Sequence, residues 1–423
     1  MNKIVSKLAK NFVLRKIGED VFLIPLDKAP ENLFLLNSSA AYIWKKLLSG
    51  FSITECAKKL SKEFSIQEEI IEADINKLLA GVENGLTEKV NIKNINKKSK
   101  LARIPIQGSF DLTGRCNLDC LHCYAKGERK RKELSLVRIK KIVDQLVKNG
   151  CLFLQLTGGE CLMRKDFKEI YFYIRRVGII PTISTNATLF NNDLINLFKK
   201  YPPYQVIVSV YGAKSFVHDQ ITRVDGSFRR TLTNVKKLKK AGIFVWFSAV
   251  VMKQNFSKVS EMKKLAQKIG VPIVFYPFLI PRLDKNKTPL IYCINDKQCF
   301  QILDFNKKTK PFQRVKQIKR RKKEIFYPCN AGLQSFHIDA EGKVRLCKIE
   351  RSIGFSLFES SFKACLQKLF RVRNSKLRLP KTCLDCSYRI DCRVCPPMMR
   401  LYQSSGCGKL FCQRVKIDKN LSS

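Results

Sequence analysis

Long hydrophobic runs are missing from this chain. No charge-free apolar stretch reaches membrane-spanning length, and the opening residues, MNKIVSKLAKNF, lack signal-peptide architecture. A cytoplasmic protein, with no membrane partner, is the expectation. Acidic residues are also scarce: 35 Asp and Glu stand against 80 Lys and Arg, a formal net charge of +45. Such a field attracts nucleic acid, anionic membrane or an acidic peptide. The lysines run along the whole chain, so solvated basic faces account for the excess as well as one binding patch does. Charge alone decides nothing.

What is abundant is cysteine. Seventeen of the 423 residues are Cys, and reducing cytosol disfavours structural disulfides. Clustered cysteines there read as metal ligands or reactive thiols. The length itself predicts two or three domains.

Residues 10–90 read as a small α+β unit. FVLRKI, VFLIPLD and NLFLLN are short β-rich runs between polar turns. NSSAAYIWKKLLSG then sets apolar residues at helical spacing and closes on Gly50. Ser52 with Glu55, and Ser65 with Glu68, have capping-box spacing ahead of two more helical patterns. Three strands and then three helices is a winged-helix-like order. KVNIKNINKKSK, polar and basic, reads as a linker.

From about residue 108 the pattern alternates. Apolar runs at Phe110–Leu112, Leu152–Leu156, Ile179–Ile183, Val206–Val210, Phe244–Val251 and Ile273–Leu279 are separated by amphipathic stretches such as LVRIKKIVDQLVKNG. Strands of this kind with helical crossovers predict a parallel sheet covered on both faces. Six such units predict a partial β/α barrel with its chemistry at the C-terminal strand ends. Residues 284–327 are basic and irregular. From Cys329 onward cysteines are dense, and the tail lacks the apolar periodicity to fold on hydrophobic burial alone.

Two motifs carry chemistry. GRCNLDCLHCY places Cys116, Cys120 and Cys123 after the first barrel strand, one ligand short of a closed zinc site unless His122 or a distant residue completes it. Soft thiolates also suit iron–sulfur clusters, and three ligands on a four-iron cube leave one iron for a small molecule. LTGGE ends the second strand; Gly158 and Gly159 permit close backbone approach to a ligand, and Glu160 would pair with its amine.

In these residues the sequence resembles the radical S-adenosylmethionine (SAM) enzymes over roughly 106–282. The resemblance implies a 4Fe-4S cluster on Cys116, Cys120 and Cys123. Its open iron would chelate SAM, whose reductive cleavage yields a hydrogen-abstracting 5′-deoxyadenosyl radical. It implies cofactor contacts from His122, Tyr124, Gly158, Gly159 and Glu160, although Cys161 stands where a proline is usual. Ser184–Asn186 (STN) and Val208–Gly212 (VSVYG) resemble strand ends near the cofactor, with Ser209 near the ribose and Arg223 near the carboxylate.

The tail resembles the SPASM extension of peptide- and protein-modifying members. By that pattern Cys383, Cys386, Cys392 and Cys412 hold one auxiliary cluster, and Cys329, Cys347 and Cys395 contribute to another. Two residues separate Cys392 from Cys395 where three are common. The fourth ligand of the latter site stays open: Cys293, Cys299, Cys365 and Cys407 are candidates, or substrate takes the position. Cys56, Cys151 and Cys161 read as packing residues, and His218 and His337 as structural histidines. The N-terminal unit, in NLFLLNSSAAYIWKKL and SITECAKKL, resembles PqqD-like domains that bind leader peptides. It implies capture of a peptide as an added strand at Asn32–Leu36, facing the helix around Ile70–Leu79.

The expected fold is α/β: a partial (β/α)6 radical SAM barrel at 106–282 with a winged-helix-like α+β domain at 1–92. A linker spans 93–105, a basic connection 283–328, and a cysteine-rich SPASM domain 329–423. The expected function is a peptide maturase that forms an oxidative crosslink, a thioether ahead of a carbon–carbon bond. Its partners would be a leader-bearing, acidic precursor and an electron donor such as flavodoxin or ferredoxin. Epimerisation, with Cys161 or Cys407 as hydrogen donor, is one alternative; action on a folded protein or a tetrapyrrole is another. An iron–sulfur DNA-binding regulator would need Arg, Asn or Gln on a reading helix, but QEEIIEADINKLLAG is acidic. No RNA-binding fold is appended for a tRNA-modifying role, so nucleic acid is not an expected partner.

Overall fold

The computed structural model describes residues 11–28, 32–84, 89–91, 104–309, 329–375 and 395–406. The N-terminal unit begins with an antiparallel meander, β1 (Phe12–Ile17), β2 (Asp20–Pro25) and β3 (Asn32–Leu36). Three helices follow: α1 (Ser38–Leu48), α2 (Ile53–Phe64) and α3 (Glu68–Glu83). The capping box at Ser52 and Glu55 is formed in both directions. The one expected at Ser65 and Glu68 is not. Ser65 is a left-handed residue closing α2, and α3 starts from Gln67 without a side-chain cap. Part of the expected linker is also structured, because Lys89–Asn91 forms β4, paired with β3.

Period-two alternation gives the β1–β3 sheet two buried faces. Phe12, Leu23 and Phe34 pack against Trp44, Leu60, Ile75 and Leu79 of the helices, with Cys56 in the same core. Ile17, Phe22, Ile24 and Leu33 instead pack against Ile106, Leu152 and Ile180, at the N-terminal ends of three barrel strands. Two arginines stitch this junction. The Arg15 guanidinium donates to the carbonyls of Val147, Cys151, Val177 and Gly178, at 2.9–3.2 Å. Arg175 donates back to Pro25 and Leu26 at 3.1 and 2.9 Å. Both side chains are buried.

The barrel strands are β5 (Gln107–Thr113), β6 (Phe153–Gly158), β7 (Ile180–Thr185), β8 (Gln205–Ser209), β9 (Val245–Val250) and β10 (Ile273–Tyr276), all parallel and in that order. Helices α4 (Leu136–Lys148), α5 (Phe167–Arg176), α6 (Asn192–Lys200), α7 (Ser215–Thr222), α8 (Ser227–Lys240) and α9 (Val259–Ile269) connect them. Only one sheet face carries the continuous apolar core, which includes Phe110, Leu112, Leu154, Leu156, Ile183, Val206 and Phe247. The opposite face presents half-buried Ser109, Asp111, Gln155, Ser184, Ser209 and Ser248. The expected two-sided apolar cover is therefore corrected: the inner face is a polar concavity.

The tail also differs from expectation. β11 (Ser335–Ile338) adds to β5 in parallel, and β12 (Lys343–Arg345) and β13 (Phe355–Ser356) follow antiparallel, extending the barrel sheet. Phe336, Ile338, Val344 and, from α11 (Phe362–Asn374), Phe362, Cys365 and Leu369 join the barrel core. This half of the tail folds on apolar burial. In the basic connection, α10 (Asp296–Thr309) is a helix that buries Cys299 and Ile302 beside Ala249 and Phe275. A last helix, α12, runs Pro396–Ser404.

Removing Arg15 would strand carbonyls in a dry interface. Arg15→Ala is expected to lower stability by roughly 2–4 kcal/mol and to open the junction at Arg175–Gly178 to limited proteolysis. Unchanged denaturation and cleavage patterns would refute the stitching role.

Candidate active site

The cysteine loop starts where β5 ends, and backbone contacts fix it there. Gly159 N–H donates to the Thr113 carbonyl at 2.9 Å, and Glu160 N–H to the Arg115 carbonyl at 2.8 Å. The two glycines exist for this approach. A Cβ on Gly158 would lie 2.1 Å from the Thr113 oxygen, and one on Gly159 2.2 Å from the Arg115 oxygen. Gly158 also has φ +127°, where side chains are strained. The close approach expected toward a ligand is thus made first to the chain itself.

Further along the loop, Asp119 N–H and Leu121 N–H donate to Thr222 and Ile221 at the end of α7, each at 3.0 Å. The Asp119 carboxylate gathers Lys126 at 2.5 Å, Arg129 at 3.2 Å and Arg223 at 3.5 Å, and Arg129 also donates to the Leu118 carbonyl. Arg223, itself left-handed at φ 59°, is consequently held beside the loop with over half its side chain exposed.

Burial is the largest cause raising the pKa of all three loop thiols, and neighbouring thiols add to it at Cys116 and Cys120. It pushes Cys116 up to about 11 and moves Cys120 and Cys123 in the same direction. Buried thiols kept neutral this way become good ligands only when a cation takes their protons' place. Backbone N–H groups already point at the sulfurs, including Leu118 N–H toward Cys116 Sγ at 3.5 Å. No described cysteine is in a disulfide. Among the described residues no group of three or more His, Cys, Asp or Glu is arranged to hold a metal ion. Three free thiols with backbone donors suit a cluster, so the residues fit the group implied by their spacing.

Around the loop, His122 is buried, its pKa lowered by burial to about 4, and its Nδ1 has no hydrogen-bond partner. Its ring meets Tyr211 edge-on at 4.5 Å. Tyr211 N–H in turn donates to His218 Nδ1 at 3.2 Å. Tyr124 is half-buried, and its carbonyl accepts from Leu283 N–H at 2.8 Å. Glu160 is enclosed by neighbouring donors. Its carboxylate has no exposed surface. It accepts from the Thr185 hydroxyl at 2.8 and 2.9 Å, from Asn186 N–H at 2.7 Å and from Leu162 N–H at 3.1 Å. In this arrangement the carboxylate ties β6 to β7. Asn186 extends the tie by donating to Asn117 in the cysteine loop at 2.9 Å.

The structure brings Cys329 and Cys347 near Cys395: burial and then Cys329 raise the Cys347 thiol, and burial, Cys347 and Cys329 push Cys395 up to about 12. Cys383, Cys386, Cys392, Cys407 and Cys412 lie outside the described residues. Of the other candidates for a fourth ligand, Cys365 is buried under β13, with contacts to the Phe355 and Ser356 carbonyls. Cys299 is in the α10 core, and Cys293 packs with Cys120, Leu121 and Tyr211 on the side of the first thiol cluster.

One cluster escaped the sequence reading. Asp111 on β5 lies 3.2 Å from His337 Nε2 and 3.4 Å from Arg351, while Lys348 donates to Thr157 at 2.9 Å. Burial alone would raise the Asp111 carboxyl, but His337, Lys348 and Arg351 together hold it far below the usual carboxylate range. Signals were present: an acid inside an apolar strand, and a lysine directly after Cys347.

Residues 110–266 match the Radical SAM superfamily, and residues 22–84 match Coenzyme PQQ synthesis protein D (PqqD). The chain joins a radical SAM domain to a PqqD domain. It is similar to the antilisterial bacteriocin subtilosin biosynthesis protein AlbA of Bacillus subtilis, 27% identical over 62% of this chain and 59% of that protein. An AdoMet-dependent heme synthase of Methanosarcina barkeri is 30% identical over 41% of this chain and 50% of its own. The chain therefore spans only part of these relatives' length. Among solved structures, Streptococcus suis SuiB bound to S-adenosylmethionine shares the fold at TM-score 0.55 and 16% identity, covering 91% of this chain and 94% of that one.

Two outcomes test the site. Gly159→Ala, which forces the Arg115 carbonyl aside, is expected to abolish iron–sulfur incorporation as fully as Cys116→Ala does, read as iron per chain and visible absorbance after anaerobic reconstitution. Because burial raises the thiols, ligation releases protons, so reconstitution is expected to be more complete near about pH 8.5 than about pH 6.5. Full occupancy of Gly159→Ala, or a flat pH profile, would contradict this account.

Proposed function

We propose that this protein matures a ribosomally synthesised peptide by oxidative crosslinking. The observation that carries the reading is a PqqD domain buried by one sheet face against a barrel that presents three free thiols in a cysteine loop. On this reading Cys116, Cys120 and Cys123 hold a 4Fe-4S cluster. Gly158, Gly159, Tyr124, Ser209 and Arg223 line the SAM position, and His122 packs behind it. Cluster and SAM together supply one-electron chemistry that takes a hydrogen atom from a substrate carbon.

The chain's own part is placement. The half-buried serines and Gln155 of the inner face hydrate and orient a peptide backbone. Lys348, between Thr157 and Cys347, lies between the two thiol sets. The N-terminal domain raises the local concentration of the core peptide by holding its leader, and the net charge of +45 favours an acidic leader. It equally favours an acidic electron carrier of the flavodoxin or ferredoxin kind.

A thioether is favoured over a carbon–carbon bond: on this reading a substrate thiolate takes the fourth position beside Cys329, Cys347 and Cys395. Epimerisation is less favoured: Cys161 is fully buried, its thiol contacts the Ser184 carbonyl at 3.6 Å, and its pKa is raised by burial. The heme synthase likeness covers 41% of this chain, against 62% for the bacteriocin protein.

The test is anaerobic turnover of reconstituted enzyme with SAM, reductant and the small peptide encoded nearest its gene. The expected product is lighter by about two hydrogens, with 5′-deoxyadenosine formed, and fragmentation locates a bond from a cysteine sulfur. A peptide of unchanged mass that takes up deuterium from solvent would replace crosslinking by epimerisation.

A further inference from the structure

Peptide capture by strand addition needs an open edge on β3, and that edge is already occupied. β2 lies on one side of β3 and β4 on the other. The pairing is antiparallel, with Asn91 opposite Asn32, Val90 opposite Leu33 and Lys89 opposite Phe34. β4 falls beyond the residues that match PqqD, in the connection that leads to Ile104 and β5. The chain's own connection thus stands where an incoming strand would pair.

The occupant is short. It covers three of the five residues of β3 and leaves Leu35 and Leu36 without a β4 partner. Past them a cavity of about 540 Å³ opens between α1 and α3, lined by Asn37, Ala40, Ile43, Asp74, Leu78 and Gly81. A longer strand pairing with all of β3 and placing a side chain in this cavity would gain contacts that β4 does not make.

We propose that Lys89–Asn91 is a built-in competitor that closes β3 to any added strand until it is displaced. The proposal rests on β3 being the peptide-receiving strand. It makes leader binding an exchange of one strand for another rather than an addition to a vacant edge. Apparent affinity for a leader is reduced by the fraction of molecules in which β4 is paired. Ile104 and Ile106 remain packed on the domain–barrel junction, so release of β4 frees the stretch before them without separating the domains.

The experiment uses the full chain and a fluorescein-labelled synthetic peptide of residues 86–94, LTEKVNIKN. Successive strand N–H groups point to opposite sides, so one of the two replaced in Lys89→Pro/Val90→Pro faces β3. The peptide is expected to bind this double variant at least ~ten-fold more tightly than wild type by anisotropy. Equal binding to both, or to neither, overturns the proposal. Lys89→Gly/Val90→Gly weakens the strand without fixing its backbone and guards against misfolding; it should also bind more tightly than wild type. Hydrogen exchange at Leu33 and Phe34 provides the second reading. Of these two neighbouring amides, the one that faces β4 should exchange faster in both variants while β1 and β2 stay protected, and unchanged exchange at both would also overturn the proposal. No precursor peptide enters the assay, so failure of the maturase reading shows in the mass measurement and failure of self-occupancy shows here.

Discussion

The top of the barrel depends on one buried carboxylate. Glu160 has no contact with solvent, and its oxygens draw in a hydroxyl and two backbone N–H groups from β7 and the turn after β6. Burial raises its pKa against the pull of those donors, so the site is costly unless every donor stays in place. Its own N–H and that of Gly159 then reach across to Arg115 and Thr113. The cysteine loop is thereby hung from two neighbouring strands at once. The glycines matter because this hydrogen bonding brings backbones within a Cβ radius of each other.

That arrangement explains what the sequence disclosed and what it hid. Cys116, Cys120, Cys123 and the GGE run are local patterns, and their spacing alone brings them to adjacent strand ends. Burial of Glu160 is not local: it follows from Thr185 and Asn186, some twenty-five residues away, so the structural tie this carboxylate makes was not legible in the motif. The six barrel strands were legible because their outward residues are apolar at period two. The polar inner face was missed because Ser109, Gln155 and Ser184 interrupt those runs only singly.

The tail shows the opposite error. Ser335–Ile338 and Lys343–Arg345 are too short to announce themselves as strands, and the density of cysteine suggested a domain organised by ligands. Yet β11 finds a ready edge on β5, and Phe336 and Phe362 meet at 4.8 Å beneath it. An existing sheet supplies the partner that so short a segment cannot supply for itself. The same hairpin delivers His337, Lys348 and Arg351 to Asp111, so the second thiol set is fixed to the first barrel strand by charge as well as by the ladder.

The N-terminal sheet carries a similar lesson about geometry. Its alternation looks like a strand set with one wet face, but Phe22, Ile24 and Leu33 are covered by Ile106, Leu152 and Ile180, and Arg15 and Arg175 close the rim by donating to carbonyls across it. Such a junction does not behave as a flexible tether; removing the domain would expose apolar surface and strand those carbonyls. It also fixes direction. Ile106, Leu152 and Ile180 mark the N-terminal ends of β5, β6 and β7, whereas the cysteine loop lies at the opposite ends. Six-residue strands advance by roughly 3.3 Å per residue, about 20 Å in all. On the maturase reading, a peptide held by the N-terminal domain would have to span at least that distance to reach the thiols, an extended stretch of at least roughly six residues. Recognition and chemistry would then fall on separate segments of the substrate, with the packed junction setting the distance between them.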